Sequence, residues 1–294
     1  MADRNHLTIT GYSTALFSTW YLVDELGVLF DCGDGVASAL LQKSRKAKHV
    51  FISHADRDHI TGLLQFNQLN ARPELKIYYP ASSGSFPALA GFTEKFDPHV
   101  SGTQWIPVRS GDEIRLREDA IVRTIENSHV KAGDGQTKSL SFFVDSVSRK
   151  LKPELAGLPG NEIGRIRKEQ GEEAISDLSR RTILCYSGDT PIESDGRYSN
   201  VETLIHEATF LTVGEIEPDN PKRNKHSSLD QVIAMVRDSN IKQLVLGHFS
   251  SRYSHDQIDE AIRKECEMNG ISIPVYRVLP GQLVRDVLNE PVFG

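Results

Sequence analysis

The chain has 294 residues, 38% of them hydrophobic and 25% charged, which excludes collagen-like, disulfide-scaffold and disordered classes for its bulk. Its net charge of −6, from 34 basic and 40 acidic residues, argues against a generic polyanion binder and leaves room for a local basic patch. No stretch approaches the ~18 apolar residues of a membrane span, so no membrane partner is expected.

Apolar runs at 7–10, 28–30, 50–52, 76–79, 121–125, 141–144, 182–186, 203–206 and 243–246 have the length and β-branched enrichment of strands. The first follows Met1-Ala2-Asp3-Arg4-Asn5-His6 directly, without a basic region and an apolar run, so no cleaved secretory signal is expected. Residues 149–181 carry eight basic and six acidic side chains, net +2, which leaves −8 for the rest. With Pro153, Pro159 and four glycines, this segment is either a solvated loop with a short helix or an exposed arm that contacts a polyanion. Leu229, Val232, Ile233 and Val236 recur on one helical face, and Ser228 with Gln231 forms a capping box that opens this helix. Ile258, Ile262 and Cys266 mark another helix. The mixture predicts an α/β fold of buried sheets covered by helices, one domain across residues 1–294 with the 149–181 arm inserted. Cys32, Cys185 and Cys266 are odd in number and far apart, which fits a reducing, cytoplasmic setting.

Chemistry concentrates at the ends of these runs. Ser53-His54-Ala55-Asp56-Arg57-Asp58-His59 follows a predicted strand and holds four potential metal ligands in six residues. Divalent cations need such convergence of nitrogen and oxygen donors, and strand ends are where open α/β sheets place their sites. Each of these residues taken alone fits a polar loop with an Asp helix cap. Four further strand ends carry titratable groups: His129 in 127–129, Asp189 in 186–190, His206 and Glu207 in 204–210, and His248 in 246–253. Singly these are capped turns or satisfied histidines; jointly they describe one site assembled from many strand ends.

The words FDCGDG at 30–35, SHADRDHITGL at 53–63, YSGDT at 186–190, HEATF at 206–210, KHSS at 225–228 and GHFSSRY at 247–253 occur in the order found in ribonuclease Z, and the chain resembles that branch of the metallo-β-lactamase fold. The resemblance implies an αββα sandwich and two metal ions, usually zinc. It implies that His54, Asp56, His129 and Asp189 surround one ion and that Asp58, His59, Asp189 and His248 surround the other. Glu207 and His226 correspond to the unit that protonates the leaving oxygen, so Asp58, Glu207 and His226 are the candidate catalytic residues. Its reaction is endonucleolytic 3′ processing of precursor tRNA by a water that two cations share and activate. Relatives are often dimers, so a homodimer is expected.

Three departures qualify this. Asp56 stands where the family has histidine. It either ligates, with a preference for harder metals such as Mn or Fe, or is too short and leaves the first site impaired, or marks a chain that binds or regulates without catalysis. The turn at 11–17 lacks the Pro and the basic residues that help the family place the RNA end. Only 60 residues separate His129 from Asp189, room for a basic segment but not for a long stalk. Arg252 matches phosphate geometry and serves equally well in a structural ion pair. The rival substrate is a small phosphodiester such as a cyclic nucleotide.

Overall fold

The computed structural model describes residues 7–97, 99–131, 135–216 and 225–294. The opening residues 1–6, and with them the reading of the N-terminus, lie outside the described residues. Two seven-stranded sheets pack face to face. The first contains β1 (Ile9–Thr14), β2 (Ser18–Val23), β3 (Val28–Phe30), β4 (His49–Phe51), β5 (Lys76–Pro80) and β6 (Gln104–Val108). The second contains β7 (Glu113–Arg117), β8 (Ala120–Glu126), β9 (Leu140–Leu151), β10 (Ser176–Tyr186), β11 (Thr203–Glu207), β12 (Gln243–Gly247) and β13 (Val275–Arg277). β14 (Val284–Arg285) returns to pair with β1 at the edge of the first sheet. In each sheet an antiparallel meander leads into parallel strands, from β3 to β6 and from β10 to β13.

Helices cover the outer faces. α1 (Val36–Leu40), α2 (Arg57–Ile60), α3 (Leu63–Asn70) and α4 (Ser85–Phe96) lie in the first half of the chain. α5 (Gly160–Gln170) and α6 (Glu172–Ile175) lie between β9 and β10, and α7 (Leu229–Arg237) and α8 (His255–Met268) lie in the second half. This arrangement is the metallo-β-lactamase αββα sandwich. Each sheet is buried on both faces, so its central strands are nearly continuous apolar runs.

Three hydrophobic clusters correspond to the three layer contacts. Phe30, Phe51, Phe142 and Tyr186 fill the space between the sheets, with ring centroids 5.2–6.1 Å apart. Leu63 and Phe66 of α3 seal the first sheet against Val50, Ile52 and Ile77. Leu229, Val232 and Ile233 of α7 and Ile258, Ile262 and Cys266 of α8 seal the second. The capping box expected at Ser228 is formed: Gln231 Oε1 accepts the Ser228 N–H at 3.3 Å.

β2, β6, β7, β13 and β14 are absent from the sequence reading. β7 is an edge strand in which exposed charges alternate with two half-buried apolar residues, Ile114 and Leu116, a pattern too short to announce itself. β2 is fully buried, yet it opens on Ser18 and Thr19, whose polarity hides the run. The 149–181 segment is more ordered than a solvated loop. β9 and β10 continue as a paired stalk to Leu151 and Ser176, and α5 and α6 form its tip.

Gly62 shows how tightly the first half closes. A Cβ there would lie 2.1 Å from the Gly33 carbonyl oxygen, so the chain after β4 presses on the chain after β3.

His49 gives the fold a pH dependence remote from the site. It is 8% exposed and stacks on Phe51 and Tyr78. Burial, helped by Lys76 and Lys48, lowers its pKa to about 4. The unfolded value is near 6.5, so the folded state favours the neutral ring. Its share of stability is fully present above about pH 6.5 and is lost as pH falls from there toward 4. Urea melts of the wild type and of His49→Phe, followed from pH 8 to pH 4.5, test this. The variant should gain on the wild type only below about pH 6.5; a constant difference contradicts it.

Candidate metal centre and active site

Parallel strands point their C-terminal ends to one rim, and the polar loops leave the sheets there. β4 delivers Ser53 and His54, then the turn carrying Asp56 and α2 with Asp58 and His59. β8 delivers Asn127 to His129, β10 leads to Asp189, β11 ends on Glu207, and β12 leads to His248. The rim is strained where it must turn inward: Asp31 and His248 adopt left-handed φ of 54° and 61°.

The loops converge on Asp189. Its Oδ2 lies 3.2 Å from His248 Nε2, 3.3 Å from His59 Nε2, 3.8 Å from His54 Nε2 and 4.0 Å from His129 Nε2. On one side, Asp56 Oδ2 is 3.6 Å from His54 Nε2 and 3.7 Å from His129 Nε2. On the other, Asp58 Oδ2 is 3.3 Å from His248 Nε2 and 3.6 Å from His59 Nε2. Two donors at metal-bond lengths of about 2.0–2.2 Å around a tetrahedral ion stand roughly 3.3–3.5 Å apart. In both trios, His54–Asp56–His129 and Asp58–His59–His248, the carboxylate-to-imidazole distances of 3.3–3.7 Å come close to that spacing, and the ligand atoms all lie within 4.8 Å of one another. His54 Nε2 and His59 Nε2 are buried and make no hydrogen bond. Orphaned ring nitrogens facing carboxylates are what a divalent-cation site requires, so the residues fit two ions with Asp189 between them.

The tautomers agree. His129 Nδ1 donates to the Lys225 carbonyl at 2.9 Å, which leaves Nε2 as a lone pair. Thr209 Oγ1 spends its proton on Glu207 Oε2 at 2.6 Å, so at 2.9 Å it accepts from His248 Nδ1, and His248 Nε2 is again a lone pair. His59 Nδ1 donates to Asp31 at 2.6 Å.

The charges are mutually dependent. Burial alone would raise the pKa of Asp189, but His248 and His59 hold it well below the carboxylate range. The nearby rings of His129 and His54 depress Asp56, and burial lowers His54.

Beside the cluster, His226 Nδ1 lies 3.0 Å from Glu207 Oε1, and Thr190 N–H donates to that same oxygen at 2.7 Å. Burial would lower the His226 pKa, yet the Glu207 carboxylate raises it to about 9. Glu207 Oε1 is therefore a fixed acceptor that sets His226 with Nδ1–H inward.

Among the candidates named from sequence, His206 and Arg252 stand outside this cluster: His206 Nδ1 donates to the Glu207 carbonyl at 2.7 Å and its ring packs edge-on to Tyr198. The Arg252 guanidinium lies over Phe210 and Tyr253, 5.1 and 5.2 Å from the ring centroids, and pairs with Glu215 at 3.7 Å. The structure thus gives it the ion pair that sequence reasoning held open. Sequence reasoning gave no role to Asp31, Ser53 or Thr209, although FDCGDG, SHADRDH and HEATF contained them. The β1–β2 turn, singled out at 11–17, touches the site through its backbone: Leu16 N–H donates to Asp58 Oδ2 at 2.9 Å, and Leu16 and Phe17 are exposed.

A Beta-lactamase superfamily domain matches residues 27–151. Chloroplastic tRNase Z TRZ2 of Arabidopsis thaliana is 30% identical over 266 residues, 87% of this chain and 71% of that protein. Ribonuclease Z of Methanocaldococcus jannaschii is 30% identical over 261 residues, 78% of each chain. This chain belongs to the ribonuclease Z family.

Solved structures agree on the fold. The metallo-β-lactamase fold protein YhfI from Bacillus subtilis superposes with a TM-score of 0.62 at 16% identity, covering 95% of this chain and 100% of that one. Human tRNase Z, short form, gives 0.57 at 19% identity, covering 83% and 93%. Asp56 is the position at which the sequence resemblance sets an acid against a histidine. Its carboxylate reaches the position between His54 and His129, so shortness does not exclude it as a ligand.

Metal affinity of Asp56→Ala and Asp56→His, measured against a competing chelator, tests that role. Asp56→Ala should weaken one of two ions by at least about 10-fold, and Asp56→His should restore it with a shift from Mn²⁺ or Fe²⁺ toward Zn²⁺. Unchanged uptake by Asp56→Ala removes Asp56 from the ligand set.

Proposed function

We propose that this chain is a metal-dependent phosphodiesterase that cuts precursor tRNA endonucleolytically beyond its 3′ end. The observation that carries the reading is the Glu207–His226 pair lying against a two-trio His/Asp cluster in a chain of the ribonuclease Z family. In this reading His54, Asp56 and His129 hold one ion, Asp58, His59 and His248 hold the other, and Asp189 serves both. Zinc is the first choice for the nitrogen-rich set, with Mn or Fe admitted by Asp56. Bound there, two cations supply Lewis-acid charge for a phosphodiester and lower the pKa of a water.

The remaining work belongs to side chains. Asp58 lies on the rim with its Oδ2 held by the Leu16 amide, and it takes the proton of the attacking water. His226 is oriented through Nδ1 by Glu207, so the proton for the leaving oxygen comes from Nε2, which gives a 3′-hydroxyl. Thr209 ties Glu207 to His248, so acid and cluster keep one geometry.

The stalk of β9 and β10 with α5 at its tip is the surface proposed for the body of the tRNA. Among the described residues, Arg149, Lys150, Arg165 and Lys168 make no ion pair, whereas Arg167 pairs with Glu172 and Lys152 with Asp177. Four uncommitted cations on an acidic protein are charges this segment would offer to phosphates. A cytoplasmic setting belongs to the same proposal and rests on three buried free thiols. So does a homodimer, for which exposed Leu69, Phe92 and Phe96 offer an apolar surface.

The test is cleavage of a 3′-extended tRNA beside a cyclic nucleotide, with Zn²⁺, Mn²⁺ or Fe²⁺. The tRNA should be cut, and His226→Ala should lower kcat by about 10²–10⁴-fold with little change in KM. Removing Arg165 and Lys168 together should reduce the slope of log affinity against log salt by about 2. Turnover of the cyclic nucleotide alone overturns the tRNA reading and keeps the phosphodiesterase.

A further inference from the structure

Asp31 is fully buried and accepts from four donors. Ser53 N–H donates to Oδ1 at 2.7 Å, and Ser53 Oγ–H donates to the same carboxylate at 2.8 Å. His59 Nδ1–H donates to Oδ2 at 2.6 Å, and Tyr186 Oη–H donates to that oxygen as well. A carboxylate has about four acceptor sites, so Asp31 has none to spare.

The donors come from both sheets. Ser53 and His59 follow β4 in the first, and Tyr186 is the last residue of β10 in the second. Burial pushes the Tyr186 phenol well above its ordinary pKa, so it remains a donor.

Ser53 has one hydroxyl proton, and Asp31 takes it. At 2.9 Å from His54 Nδ1, Ser53 Oγ therefore accepts, and His54 presents the lone pair of Nε2. Asp31 imposes the same state on His59 directly. One buried carboxylate thus sets the ring state of a histidine in each trio.

We infer that Ser53 and Tyr186 are positioning residues of the metal centre: Ser53 holds His54 directly, Tyr186 anchors the Asp31 carboxylate that fixes both Ser53 and His59, and with Nε2 of each ring kept toward the cluster the two subsites are coupled to each other and to the docking of the sheets. The inference rests on reading the cluster as a metal centre. A histidine whose far nitrogen is tied to a carboxylate or hydroxyl has its orientation and tautomer fixed, and loss of such a partner typically costs about 10–100-fold in metal affinity. A purely packing role for Tyr186 is the competing explanation. Its ring lies 5.2 Å from Phe30 and 5.7 Å from Tyr21, contacts that phenylalanine would keep. Gly188 packs closely against Ser53; a Cβ on Gly188 would lie 2.8 Å from Ser53 Cβ.

The experiment uses the full chain as wild type, Tyr186→Phe and Ser53→Ala. Each is stripped of metal, then titrated with Zn²⁺ and Mn²⁺ against a chromogenic chelator. Thermal melting and ¹⁵N NMR of the histidine rings accompany the titrations. The wild type should take up two ions with single tautomers at His54 and His59. Ser53→Ala should weaken one ion by about 10–100-fold and leave the other nearly unchanged, with mixed tautomers at His54 alone. Tyr186→Phe should weaken both ions by at least about 10-fold, with mixed tautomers at both rings. Wild-type affinity and single tautomers in both variants, whatever their melting temperatures, overturn the inference. If Tyr186→Phe does not fold, Ser53→Ala decides the relay by the same criteria. Fewer than two ions on the wild type would instead defeat the metal-centre reading itself.

Discussion

The structure is organised around one carboxylate oxygen. Asp189 Oδ2 lies within 4.0 Å of ring nitrogens of His54, His59, His129, His226 and His248, at the rim where the two sheets meet. Carboxylates and imidazole lone pairs repel one another when buried together, and their desolvation is costly. Such a cluster is stable only with positive charge inside it, from protons or from cations. The orphaned nitrogens of His54 and His59 and the hydrogen bonds that turn Nδ1 of His54, His59, His129 and His248 outward favour cations.

The sandwich serves this constraint. Neither sheet holds a complete set of groups. The first contributes His54, Asp56, Asp58 and His59 from one short segment after β4, and the second contributes His129, Asp189, Glu207 and His248 from four strand ends. The aromatic layer of Phe30, Phe51, Phe142 and Tyr186 fixes the distance between them. Burying that layer keeps the facing trios at ligand spacing, so stability of the core and geometry of the site share one cause.

Much of this was legible in the sequence because the site consists of short words at strand ends. Four potential ligands in six residues cannot be a chance polar loop when HEATF, KHSS and GHFSSRY follow in order. The helices α7 and α8 were legible from apolar periodicity alone. What stayed hidden depends on long-range contact. Asp31 reads as a turn residue until His59 and Tyr186 arrive from 28 and 155 positions away. Leu16 touches Asp58 through its backbone, which no side-chain pattern announces. The stalk was hidden because its strands are exposed and charged, so they lack the apolar run that marks a strand.

Asp56 is the acid in a trio otherwise made of imidazoles. A carboxylate there adds negative charge to the trio and hardens its donor set, and its side chain is exposed. The account stands or falls on whether two ions sit where the donors converge. A crystal of the zinc-loaded protein, with anomalous diffraction recorded at the metal edge, measures that directly. The account expects two peaks about 3.5–4 Å apart, one against His54, Asp56 and His129, the other against Asp58, His59 and His248, with Asp189 touching both. A single peak, with the Asp56 carboxylate turned away to solvent, would contradict it.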